Sequence, residues 1–196
     1  LSRRFSTPSV ELFAVITSVL RRQSQRRVHV RPQPTISMGL TADDTGVYAR
    51  FAEQLDRAVE VGTASGRAVA VSFPETVPAD ASEHGEILDR LFDYLDGAAD
   101  DFRDVTVALT VPTDQRAVLE ATRNVPYGET VSAERVARTA AGIDADDEDD
   151  RQTVRAALRE NPTPILVPDH RVRGVTGATP PPVGRVLRDI EGIDQY

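Results

Sequence analysis

An α/β N-terminal region followed by a mainly α C-terminal domain, of helix-turn-helix and winged-helix-like type, is the fold class this sequence predicts. Three observations carry that reading. Two short β-branched runs, "RAVEVG" and "RAVAVSF", flank "TASG", the pattern of a hairpin with Gly66 at its turn. The stretch "HGEILDRLFDYLDGAAD" sets Ile87, Leu88, Leu91, Phe92 and Leu95 at helical spacing. Further on, two short helical segments with a tight link precede an apolar run that reads as a strand, the order of a helix-turn-helix with a wing.

Taken in order, residues 1–37 stand apart. They hold seven Arg against one acid, Glu11, and an apolar run, "VELFAVITSVL", shorter than the roughly 20 residues a membrane span needs. They are expected to be a disordered basic extension lying upstream of the true start, with Met38, the sole Met, as the first residue of the folded protein. Residues 38–112 are expected to form a small α/β domain around the hairpin, with "DVTVALTVP" as a strand ending at Pro112. Residues 113–196 form the second domain. It opens with a helix over "TDQRAVLEATRNV", N-capped by Thr113, and a turn at "PYGE". Ser132 caps the helix in "TVSAERVARTAAG", which Gly142 ends; "IDADDEDD" is an acidic loop. The helix "RQTVRAALRENP" stops at Pro162, "PILVP" is the strand, "ATPPPVG" a rigid loop and "GRVLRDIEG" a last short helix.

Composition narrows the chemistry. The 196 residues include 40% hydrophobic ones, enough for a core, and no Cys, which excludes disulfides, thiolate nucleophiles and Cys-ligated zinc. His29, His84 and His170 show no metal-ligand spacing, so neither metal nor cofactor is expected. The net charge is −8 and every one of the 23 basic residues is Arg. An acidic, Lys-free composition fits a cytoplasmic protein of concentrated salt, where screening removes carboxylate repulsion. A GC-rich genome gives the same Arg bias.

One stretch, "PILVPDHRVRG" (164–174), puts a carboxylate and an imidazole together at what reads as a strand-to-turn corner. With "VPYGETVS" (125–132), "ALRENPTPILVP" (157–168) and "IEG" (190–192), in that order, it resembles the alkylguanine–DNA alkyltransferases. These repair DNA by moving an alkyl group from guanine to their own cysteine. The resemblance covers about residues 86–196, and it implies double-stranded DNA as partner, with repair proteins as a further candidate class, no membrane and a monomeric chain.

By position, the resemblance places Asp169 where the family has its acceptor Cys, with His170 and Glu191 as the pair that would activate it through a water. It implies DNA contacts from Ser132, Arg151, Gln152, Arg155, Arg159, Asn161 and Arg173. The departures from the family pattern are informative. Ala133 stands for a base-rotating Tyr, and Gln152 for the Arg that fills the gap left by a flipped base, with Arg151 about 100° away around the helix. Arg155 stands for a Gly, and "TGATPPPVG" for a longer Gly-rich loop with a second Tyr. Three functions follow: an alkyltransferase-like module that binds DNA without transfer, a degenerate relic or protein-interaction module, and an enzyme with Asp169 as alkyl acceptor. Asp169 itself reads equally as a turn cap or as a partner of His170 or Arg171.

Overall fold

The computed structural model describes residues 45–194, so the expected extension over 1–37 and Met38 lie outside the described residues. The N-terminal region is a three-stranded antiparallel sheet in the order β1-β2-β3: β1 (Gly46–Ala52), β2 (Arg57–Ala64) and β3 (Arg67–Ser72). The hairpin between β2 and β3 turns at Ser65 and Gly66, both with positive φ (51° and 71°), as a two-residue turn matched to strand twist requires. β1 was not anticipated from the sequence. Its outer edge is held by Ser82, whose N–H and C=O bond Val47 and Ala49.

Helix α1 (Glu86–Leu95) lays Leu88, Leu91, Tyr94 and Leu95 against the sheet. After it, "DVTVALTVP" does not become a strand. It touches β3 at one residue, Ala68, which donates to Thr106 O (3.0 Å) and accepts from Ala108 N (2.8 Å). The chain then leaves the sheet edge for the second region, so no ladder can repeat.

That region is built on α2 (Thr113–Thr122), α3 (Ala133–Thr139) and α4 (Glu148–Arg159), which share a core of Val118, Leu119, Val136, Val154 and Leu158. Thr113 is the first helical residue and not the cap. Pro112 occupies the cap position, and its carbonyl accepts from Arg116 N at 2.8 Å. The end of the acidic run is helical as well. Asp147 caps α4 by accepting from Asp149 N (2.9 Å) and Asp150 N (3.0 Å), so three acids fill the first turn, where the helix dipole favours them. A two-residue parallel ladder joins β4 (Val131–Ser132) to β5 (Val172–Arg173).

The run "PILVP" is no strand either. Ile165 has φ 73°, and Val167 N bonds back to Thr163 O at 2.8 Å. This tight fold sends Ile165 and Leu166 into the core under the sheet and Val167 into the core of the three helices. The segment therefore ties the two cores together. The last helix, α5 (Pro181–Ile190), begins inside the supposed rigid loop, because prolines lack the N–H that a first helical turn leaves unpaired. Val183 and Leu187 carry α5 onto the sheet-side core. No helix among the described residues is long and apolar enough to cross a membrane.

Candidate functional site

The tie between the two cores delivers a 3-10 turn, Asp169–Arg171, into the interior. All three residues are buried. Asp169 is 2% exposed, and its carboxylate meets four donors. Oδ2 accepts from Ala178 N (2.7 Å), Thr179 N (3.1 Å) and Asn161 Nδ2 (3.3 Å). The Thr179 hydroxyl donates to Oδ1. Burial pushes the Asp169 carboxyl above its ordinary range, and these hydrogen bonds oppose that shift. No hydrogen bond joins Asp169 to the His170 ring or to Arg171 among the described residues. Of the roles open to it from sequence, the turn cap is the one it fills: it fastens the 177–179 loop to the 169–171 turn. Gly177 lies directly on it, since a Cβ there would come within 2.6 Å of Asp169 Cγ.

His170 and Glu191 do meet. His170 Nε2 lies 2.9 Å from Glu191 Oε1, both side chains fully buried. Glu191 is the hub of the interior. Tyr94 donates to Oε1 at 2.5 Å from α1, and Gly128 N donates to Oε2 at 3.2 Å from the "PYGE" turn. Arg171 clasps both oxygens, with Nε 2.9 Å from Oε2 and Nη2 2.9 Å from Oε1. Burial acts to raise the Glu191 pKa, but the hydrogen bonds from His170 and Arg171 outweigh it and bring the value down to about 2. An ionised Glu191 fixes the imidazole: Nε2 carries the proton and donates, leaving Nδ1 on the other side. The same carboxylate raises the Tyr94 pKa, after burial as the larger cause.

Tyr94 and Thr179 are what sequence reasoning missed, together with the role of Arg171, which it weighed only as a partner of Asp169 and which pairs instead with Glu191. Arg171 is 1% exposed and reaches further, to Val125 O (2.8 Å) and Asp101 Oδ1 (3.3 Å). Its sequence signal was only a position inside "HRVRG". Beside Asp169 and His170 opens a cleft of about 210 Å³, bounded by Thr179, Gly184 and Arg188. The constellation thus has a histidine and an orienting carboxylate. The group next to them that could act as nucleophile is already engaged by four donors, which leaves it unsuited to attack.

The residues expected at DNA separate into three sets. Ser132 and Arg173 are exposed and stand opposite each other in the β4–β5 ladder. Ser132 Oγ caps α3, accepting from Arg135 N at 3.2 Å. Gln152, Arg155 and Arg159 are exposed on α4. Glu148 holds two of the helix cations: Arg151 Nη2 at 2.6 Å and Arg155 Nη1 at 3.2 Å. Arg159 has no such partner among the described residues. Asn161 is buried, its amide donating to Val167 O (2.8 Å) and Asp169 and its carbonyl accepting from Thr163 N (3.1 Å). It organises the interior turn and does not face the surface of α4.

Residues 113–190 match the family described as 6-O-methylguanine DNA methyltransferase, DNA binding domain. Solved structures with a similar fold include the Mycobacterium tuberculosis O6-methylguanine methyltransferase, at 24% identity and TM-score 0.58, over 74% of this chain and 92% of that one. The Mycobacterium tuberculosis OGT in complex with DNA matches at 24% identity and TM-score 0.56, over 74% and 91%. The O6-methylguanine-DNA methyltransferase of the hyperthermophilic archaeon Pyrococcus kodakaraensis matches at 22% and 0.55, over 75% and 99%. At these identities the structures establish the fold. No curated protein is matched.

Proposed function

We propose that the chain, whose residues 113–190 match the DNA-binding-domain family of the 6-O-methylguanine DNA methyltransferases, binds double-stranded DNA as an alkyltransferase-like module and transfers no alkyl group. The carrying observation is the state of Asp169. The chain has no Cys, and the carboxylate at the family's acceptor position is a buried cap with four donors on it. Attack by it would strip those donors from a charge inside the protein. The family's activating pair survives as His170 and Glu191, with nothing to activate.

In this reading α3 and α4 act as a helix-turn-helix, with the β4–β5 ladder as a reduced wing. Gln152, Arg155 and Arg159 face the duplex, while Ser132 and Arg173 contact phosphate at the ladder. The chain works as a monomer in the cytoplasm, alone or with repair proteins, and its acidic composition suits concentrated salt. The absence of a finger Arg at Gln152 and of a Tyr at Ala133 leaves little preference for a lesion.

A second reading, a relic that has lost DNA, is favoured by Glu148, which occupies two arginines of the proposed DNA face. An electrophoretic shift at high salt, with plain and alkylguanine-containing duplexes, separates them. Retardation of both duplexes supports the module; no retardation at any salt concentration supports the relic. Incubation with duplex carrying radiolabelled methylguanine should leave the protein unlabelled. Stoichiometric label on Asp169 would refute the non-transfer reading.

A further inference from the structure

Two exposed arginines flank Ser132, and neither is held by an acid. Arg173 stands opposite Ser132 in the β4–β5 ladder. Arg135 lies three residues beyond Ser132 on α3, its backbone N–H bonded to the Ser132 hydroxyl oxygen at 3.2 Å. Helix α3 packs against β5, so both side chains leave the protein beside the same serine.

The local sequence explains why both are free. A helical side chain pairs with residues three or four positions away. For Arg135 these are Val131, Ser132, Arg138 and Thr139, none of them an acid. The neighbouring acid, Glu134, is taken by Arg138. Arg173 has Arg171 and Val175 two positions away along the chain and Ser132 across the ladder, again no acid. No hydrogen bond or ion pair engages either guanidinium among the described residues.

The start of α4 is the opposite case. Six acids lie between Asp144 and Asp150, and Glu148 holds both Arg151 and Arg155. A phosphate approaching the first turns of α4 meets a negative field, whereas one approaching the ladder meets two cations with nothing to neutralise them. Between those cations, the Ser132 oxygen accepts from Arg135 N, which leaves its O–H free to donate.

We propose that Arg135 is a DNA-binding residue, and that with Arg173 it grips two neighbouring backbone phosphates of one strand on either side of Ser132. The inference rests on the reading that the chain binds double-stranded DNA. To that reading it adds a residue outside the set implied by the family resemblance, and it places the electrostatic anchor at the α3–β5 surface, away from the acidic start of α4.

The test is fluorescence anisotropy of the full chain with a labelled plain duplex, repeated over a salt series. Each phosphate neutralised contributes about 0.9 to the slope of log K against log salt. Arg135→Gln and Arg173→Gln should each flatten that slope by about 0.9, and the double variant by about 1.8. Each single variant should also bind several-fold more weakly at the lowest salt concentration. Arg135→Lys keeps the charge and should keep the slope. Arg67→Gln, which removes an exposed arginine from β3, changes the net charge equally and should leave the slope as it is. An unchanged slope in Arg135→Gln, with the parent binding, would overturn this proposal and leave the DNA-binding reading standing. Equal flattening by Arg67→Gln would overturn it as well, because the effect would then be one of net charge. No binding by the parent at any salt concentration would remove the proposal and the reading together.

Discussion

Replacing Glu191 by Gln removes one charge from the centre of the molecule and should be among the most damaging isosteric changes available. Oε1 receives Tyr94, His170 and Arg171, and Oε2 receives Arg171 and Gly128 N. Whichever way the Gln amide turns, its NH₂ meets a donor. Arg171, 1% exposed, would lose its carboxylate clasp and keep one neutral Gln carbonyl oxygen, Val125 O and the longer contact to Asp101. Breaking a buried pair from one side costs about 3–5 kcal/mol.

The pKa gives a second route to the magnitude. Glu191 falls from 4.5 to about 2 on folding, and at about 1.4 kcal/mol per unit that difference is on the order of 3 kcal/mol. The folded pKa is the depressed one. The contribution is therefore complete above the unfolded value near 4.5 and is lost as pH falls through about 2. Urea unfolding of both proteins, at a fixed high salt concentration and a series of pH values, reads it. The variant should be less stable by about 3–5 kcal/mol at pH 7, with the gap closing below about pH 4.5. A gap under about 1 kcal/mol at pH 7, or one that does not change with pH, would show that Glu191 is not the charged hub described.

Asp169→Cys should not confer alkyl acceptance, and it should destabilise the chain by about 2–3 kcal/mol, because a thiol cannot take the donors of Asn161, Ala178 and Thr179. Radiolabel transfer and urea unfolding check the two halves separately. Gly177→Ala places a Cβ 2.6 Å from Asp169 Cγ and should cost about 1–3 kcal/mol in the same unfolding assay. The double change Arg155→Glu and Arg159→Glu should abolish retardation of duplex DNA. Arg57→Glu, on β2 of the sheet, should leave it unchanged, and equal loss from both would mean binding without a defined face. Glu148→Gln frees Arg151 and Arg155 and should tighten duplex binding at low salt, an effect that fades as salt screens the pairs.

What could be read from the chain itself was what neighbouring residues decide. The β2–β3 hairpin announces itself because Gly66 supplies a positive φ between two β-branched runs. Helix α1 shows through its apolar spacing, and Ser132 shows as the cap of α3 because its hydroxyl bonds a backbone N–H three residues on. The blocks from "VPYGETVS" to "IEG" pointed to the alkyltransferase family and paired His170 with Glu191, as the structure does at 2.9 Å.

Tertiary structure alone decided the rest. "PILVP" and "DVTVALTVP" have strand composition, yet neither finds a continuous edge to pair with, and a strand exists only through its partner. The choice among the roles of Asp169 rested on a loop eight to ten residues away that folds back onto it. Tyr94 reaches Glu191 across 97 positions, and Arg171 reaches Asp101 across 70. No local pattern encodes such meetings. A buried charge must find its counter-charges wherever packing brings them, because inside the protein, away from water, no other partner is on offer.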